Sequence, residues 1–207
     1  MIFLSPLLLS ISSNLDTLSV SLSYGIKKVH LPKSSIILLA IITSIGTLIS
    51  MYIAKLLLYL FPPELSNIFG AILLSFIGVC SIVEYIRLEN KRAGYYTSYY
   101  FESSLKYKDI LENPNDINSN KYNHIAIREC LNLAIALTLN NLCTNFAASI
   151  TGVSVNLTVF FNFIITIASL YLGYFNFDIH ISKWFSRYSN LVSGILLIII
   201  GIYEAFV

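Results

Sequence analysis

Charge is what this chain has least of. Asp, Glu, Lys and Arg make up 12% of its 207 residues, while 56% are hydrophobic. A soluble domain carries about 25% charged residues, so a large soluble domain is excluded, and a nucleic-acid surface is not expected. Cysteine is scarce too. Cys80, Cys130 and Cys143 lie in or beside apolar runs, without the spacing of a zinc or disulfide framework. The three histidines, His30, His124 and His180, are scattered among polar segments. No Ser/His/Asp, His-Glu-x-x-His or phosphate-loop pattern is present, so neither an enzyme nor a permanently bound cofactor is expected. The first apolar segment lacks the basic front end of a cleaved signal peptide and is longer than one. It is expected to be retained.

What is abundant is apolar sequence in runs of membrane-spanning length, about 20 residues each. They fall at 2–26, 34–60, 64–86, 129–152, 156–177 and 186–206, predicting an all-α membrane protein of six transmembrane helices. Pro32 opens the second run, and Pro62-Pro63 divides the second from the third. Six spans alternate the loops between two sides. One side collects every Lys and Arg of the 13 except Lys55, which lies near a helix end where it can snorkel. The positive-inside rule makes that side cytoplasmic and both termini extracytoplasmic. Tyr52, Tyr59, Tyr85, Tyr203 and Trp184 suit interface anchors.

Three domains are expected: a first helical unit at 1–86, a polar cytoplasmic loop at 87–128 and a second helical unit at 129–207. The loop reads as a tether or a small regulatory lobe. Its Asp109, Glu112 and Asp116 do not have EF-hand spacing.

The two helical units repeat. Ser66-Asn67-Ile68 recurs as Ser189-Asn190-Leu191, and Gly78 as Gly201, at an offset of 123. Ile41-Ile42-Thr43 recurs at the same offset as Ile164-Ile165-Thr166. For the first and fourth helices, an offset of 124 pairs Asp16 with Asn140, and a rival offset of 127 pairs Asn14 with Asn141. The other helices favour 124. Three spans per repeat is an odd number, so the second repeat is inverted relative to the first, a common plan of transporters with midplane sites.

Asp16 is the costly residue. A carboxylate in the middle of a spanning helix costs about 2.5–3.5 kcal/mol on insertion scales. It heads a stripe of Ser5, Ser12, Asp16, Ser19 and Ser23 on one face of its helix. The fourth helix has a matching stripe of Thr138, Asn141, Asn145, Ser149 and Gly152, widened by Asn140 and Thr144. Facing stripes of this kind offer hard oxygen ligands suited to Mg²⁺, Mn²⁺ or Ca²⁺, and equally they are ordinary packing surfaces between membrane helices. The candidate metal ligands are Asp16, Asn14, Asn140 and Asn141. Glu84 and Glu204 lie near helix ends and suit interfacial solvation or a gate, and Glu129 suits a helix N-terminus.

Two stretches carry a family resemblance: Ser13-Asn14-Leu15-Asp16-Thr17-Leu18-Ser19 on to Gly25-Ile26-Lys27-Lys28, and Glu129 through Ala136-Leu137-Thr138-Leu139-Asn140-Asn141-Leu142 to Gly152. Together they resemble the sporulation membrane proteins of the YtaF type, related to manganese efflux pumps of the MntP type. The resemblance implies a bacterial cell-membrane protein and a secondary transporter with Mn²⁺ as the transported ion. It departs where the pumps have an acid in both half-motifs and this chain has Asn140, and where Cys143-Thr144-Asn145-Phe146-Ala147 replaces a glycine-rich run. The expected partners are the lipid bilayer and a divalent cation, with alternating access by rocking one three-helix repeat against the other. Export of another small solute, or a non-transporting role in spore formation, are the other readings.

Overall fold

In a bilayer, a run of about 20 apolar residues must satisfy its backbone hydrogen bonds internally, and a helix does so. The computed structural model has six: α1 Leu4–Ile26, α2 Lys33–Leu58, α3 Pro63–Arg92, α4 Ile127–Ile150, α5 Val155–Leu172 and α6 Ile179–Phe206. The structure describes residues 3–26, 32–58, 63–92, 127–173 and 179–206, and no strand occurs among them. The 93–126 part of the polar loop, with Asp109, Glu112, Asp116 and His124, lies outside the described residues, as do His30 and Tyr59.

Five helices are long and apolar enough to cross a membrane, which makes the chain an all-α membrane protein. The sixth, α1, has the length, about 34 Å at 1.5 Å per residue, but its serines make it too polar. The reason is visible in its surroundings: no residue of α1 between Ser5 and Gly25 is exposed. A helix enclosed by other helices does not need a lipid-facing side.

α3 runs six residues past the expected end of its span, and α6 starts seven before its own. The two helices hold each other near these ends. Arg187 Nε donates to Glu89 Oε2 at 2.9 Å. The rings of Tyr85 and Tyr188 lie 5.8 Å apart, and Trp184 sits 5.1 Å from Tyr188. α4 ends early because Gly152 takes a left-handed φ of 85°. Its N–H reaches Ser149 O, and that of Val153 reaches Ala148 O, closing the helix.

Around the bundle the order is α3, α6, α1, α5, α2, α4 and back to α3, with α1 and α4 meeting briefly across the middle. Every substantial contact joins one repeat to the other. Among the described residues, no two helices of the same repeat pack along their length. This overturns the picture of two three-helix bundles rocking against each other, because neither repeat is a body with a core of its own.

The repeat register is visible as paired contacts. Ser21 Oγ donates to Leu170 O at 2.9 Å, and its repeat mate is Asn145 Nδ2 donating to Thr47 Oγ1 at 3.1 Å. Gly78 lies against Gly194, and its mate is Gly201 against Ala71. Parallel pairs α1–α5 and α2–α4 and the antiparallel pair α3–α6 put Ile26, Lys33, Arg92, Ile127 and Leu172 at one end, here called the basic end.

Two apolar clusters divide the core. Val20, Tyr24, Ile36, Leu39, Cys130, Leu133, Ala134, Leu137 and Leu170 fill the basic half, all from α1, α2, α4 and α5. The opposite half is filled by Leu9, Met51, Leu74, Ala147, Ala148, Leu197 and Ile200 with two valines, and here α3 and α6 take part.

Candidate functional site

Residues two apart on a helix point to nearly opposite sides, because each step turns by about 100°. Asn14 and Asp16 accordingly go different ways. Asn14 faces α5: its Nδ2 donates to Asn162 Oδ1 at 2.7 Å and to Ser10 O at 2.9 Å, and its Oδ1 accepts from Thr166 Oγ1 at 2.7 Å. The network continues as Asn162 Nδ2 and Asn145 Nδ2 donate to Thr47 Oγ1 at 3.2 and 3.1 Å, and Thr47 donates to Thr43 O. Asn14, Asn162, Asn145, Thr47 and Thr166 are all buried. This cluster ties α1, α5, α2 and α4 together with both ends of the Asn14 and Asn162 amides used. Nothing in the sequence singled out Asn162, because it is one of several scattered polar residues in an apolar stretch and its repeat mate is Leu39.

Asp16 faces α4. Asn140 Nδ2 donates to Asp16 Oδ2 at 2.5 Å across a separation of 124 residues. The two residues that the 124 offset makes mates therefore meet at the place where α1 and α4 cross. The rival offset has no such contact: Asn14 is committed to α5, and Asn141 is buried with no hydrogen bond to it.

The exposure of Asn140 is informative. Leu131, Asn132, Ile135, Leu139 and Cys143 form the exposed stripe of α4. Asn140 lies about 100° round from Leu139, among Leu133, Ala136, Thr144 and Ala147, all buried. Yet Asn140 is exposed and Asp16 only half-buried. The pair is thus open to the surface of the bundle on the Asn140 side, next to Cys143, which is exposed one turn further on. Asn141 and Thr144 flank Asn140 on α4 and are buried, and Thr17, the mate of Asn141, has a buried Oγ1 without a hydrogen-bond partner.

Of the four candidate ligands, then, Asp16 and Asn140 come together, Asn141 is the next residue on the same helix, and Asn14 belongs to the neutral network on the far side of α1. Among the described residues, no group of three or more His, Cys, Asp and Glu could hold a metal ion. Any cation here would rest on one carboxylate and neutral oxygens. Glu204 is buried near the end away from the basic one, and Glu84 is partly buried toward the basic one.

The fold and this crossing define a polytopic α-helical membrane protein built as an interleaved inverted repeat. No family model, curated protein or solved structure matches the chain.

Proposed function

We propose that this protein is a secondary transporter of a small divalent cation, Mn²⁺ in the first instance, with its site at the α1–α4 crossing. One observation carries the reading: a carboxylate and an amide that are repeat mates meet where α1 and α4 cross, Asn140 exposed and Asp16 half-buried. Inverted-repeat transporters place their sites where mated helices meet near the midplane, and Asp16 supplies the charge. Asn140, Asn141 and neighbouring hydroxyls supply neutral oxygens of the type that hard cations accept. In the same proposal, the basic end faces the cytoplasm, both termini face outward, and the resemblance to the sporulation membrane proteins and manganese efflux pumps points to the same cargo. The test is Mn²⁺ flux in cells or vesicles containing the parent or Asp16→Asn. Flux should be lost in the variant at equal expression, and undiminished flux sinks the reading.

The single carboxylate favours a second reading. A primary amine carries one positive charge and three N–H donors, which one carboxylate and amide oxygens satisfy. Thermal stabilisation by small amines but not by Mn²⁺ would select it.

A further inference from the structure

The Asp16–Asn140 pair has two sides, and helical phase tells them apart. On one side lies Ser12, about 40° back from Asp16, bonded to Ser193 of α6. Cys143 lies on the same side, about 60° back from Asn140, and is exposed. On the other side lies Ser21, about 140° on from Asp16, donating to Leu170 O of α5. Asn145 matches it about 140° on from Asn140, donating to Thr47 of α2. The first side leads out past Cys143. The second faces the interior between α1, α2, α4 and α5.

Thr17 and Asn141 stand on the inner side. Each follows one member of the pair, about 100° on, and the 124 offset makes them mates. Thr17 is 0% exposed, and its Oγ1 has no hydrogen-bond partner. Asn141 is 7% exposed, and among the described residues its side chain makes no hydrogen bond either. The polar residues around them behave differently. Ser10, Asn14, Ser21, Thr43, Asn145, Asn162 and Thr166 are all bonded. A buried hydroxyl or amide without a partner costs free energy that a bonded one does not. Such groups are few in native proteins, and an ion or a water is a usual reason for one. Here two occur at one level, as repeat mates, beside a carboxylate.

We propose that Thr17 and Asn141, with Asp16 and Thr144, form a second cation site on the inner side of the crossing, and that it takes a monovalent metal ion such as Na⁺. Thr144 is buried one turn along α4 from Asn140. The set offers a carboxylate, two hydroxyls and an amide oxygen, all donors that hard cations accept. Charge selects the valence. Na⁺ and Asp16 sum to zero, whereas a dication and Asp16 leave an uncompensated positive charge in a closed interior, where it is costly. A proton would need Asp16 alone and would leave Thr17 and Asn141 unpaired.

One carboxylate then serves both sides. A divalent ion on the open side and Na⁺ on the inner side both draw on Asp16, so each weakens the other by the same factor. Inverted-repeat transporters hold substrate and coupling ion at neighbouring places near the midplane. Two ions that exclude each other at a shared charge are suited to exchange, one leaving as the other binds. The exchange rests on the transport reading above; the Na⁺ site does not.

The test is thermal unfolding of the purified full chain in NaCl and in choline chloride at equal ionic strength. Na⁺ at about ten times its Kd should raise the Tm of the parent by at least about 3 °C over choline. Thr17→Val should keep the parental Tm in choline, because the hydroxyl it removes has no partner, and should lose the Na⁺ response. Thr17→Ser should retain the response. Asn141→Leu is read in the same way if Thr17→Val does not fold. By calorimetry, the Mn²⁺ affinity of the parent should be about tenfold weaker in that NaCl than in choline, and that of Thr17→Val equal in both. A parent that responds to Na⁺ no more than to choline overturns the site. So does a Thr17→Val protein with the full parental response, and so does one that is destabilised alike in both salts, which would mark a bridging water. Na⁺ that stabilises the parent but leaves its Mn²⁺ affinity unchanged overturns the sharing of Asp16. A Na⁺ response that Thr17→Val abolishes, in a parent that binds no Mn²⁺, keeps the site and overturns the Mn²⁺ reading.

Discussion

Gly78 and Gly194 touch backbone to backbone where α3 crosses α6. A Cβ on Gly78 would lie 2.7 Å from the Gly194 carbonyl oxygen, and one on Gly194 would lie 2.6 Å from that of Gly78. A helix carbonyl cannot yield as a flexible side chain can, so the helices themselves must part. Gly78→Ala and Gly194→Ala should each lower stability in detergent by about 1–3 kcal/mol, as overpacking does. Gly152 is needed for another reason: its φ is 85° with open space around it. Gly152→Ala should cost about 1–2 kcal/mol, and Gly152→Asn should recover much of that, because Asn tolerates the left-handed region. Asn at Gly78 should be worse than Ala. If Asn ranks above Ala at Gly78 as well, the close-contact account is wrong.

Asn14 gives a second prediction. Asn14→Ala removes a donor to Asn162 and an acceptor for Thr166, both buried. Hydrogen bonds between membrane helices average about 0.6 kcal/mol, reaching about 1.7, so the loss should total about 1–3 kcal/mol. Asn14 points away from Asp16, so Mn²⁺ affinity measured by calorimetry on the purified variant should stay within about threefold of the parent, ~0.6 kcal/mol. A variant of parental stability that no longer binds would make Asn14 a ligand after all.

The pairing of Asp16 with Asn140 was legible in the sequence because polar residues are rare in apolar helices, and a repeat offset carried by Ser, Asn, Gly and Thr positions survives the noise of Ile and Leu. The separation of Asn14 from Asp16 was also legible in principle, from helical phase alone. The role of Asn162 was not, because one amide in Val159-Phe160-Phe161-Asn162-Phe163-Ile164-Ile165 looks incidental until α1 lies beside it. The interleaving was out of reach for a different reason. Periodicity says which face of a helix is buried but not by which helix, and a duplicated sequence fits two separate bundles as well as one woven from both.

Asn140→Asp should strengthen a dication site if one exists. A second carboxylate charge 4 Å from a divalent ion is worth up to ~8 kcal/mol at an effective dielectric of 20, less the repulsion between the two carboxylates in the empty site. Mn²⁺ affinity should rise at least about tenfold, seen as a larger thermal shift at a fixed Mn²⁺ concentration. The empty protein should be less stable than the parent, because Asp16 loses the amide that now donates to it. Unchanged Mn²⁺ affinity would favour the amine reading, in which the added charge strengthens amine binding instead.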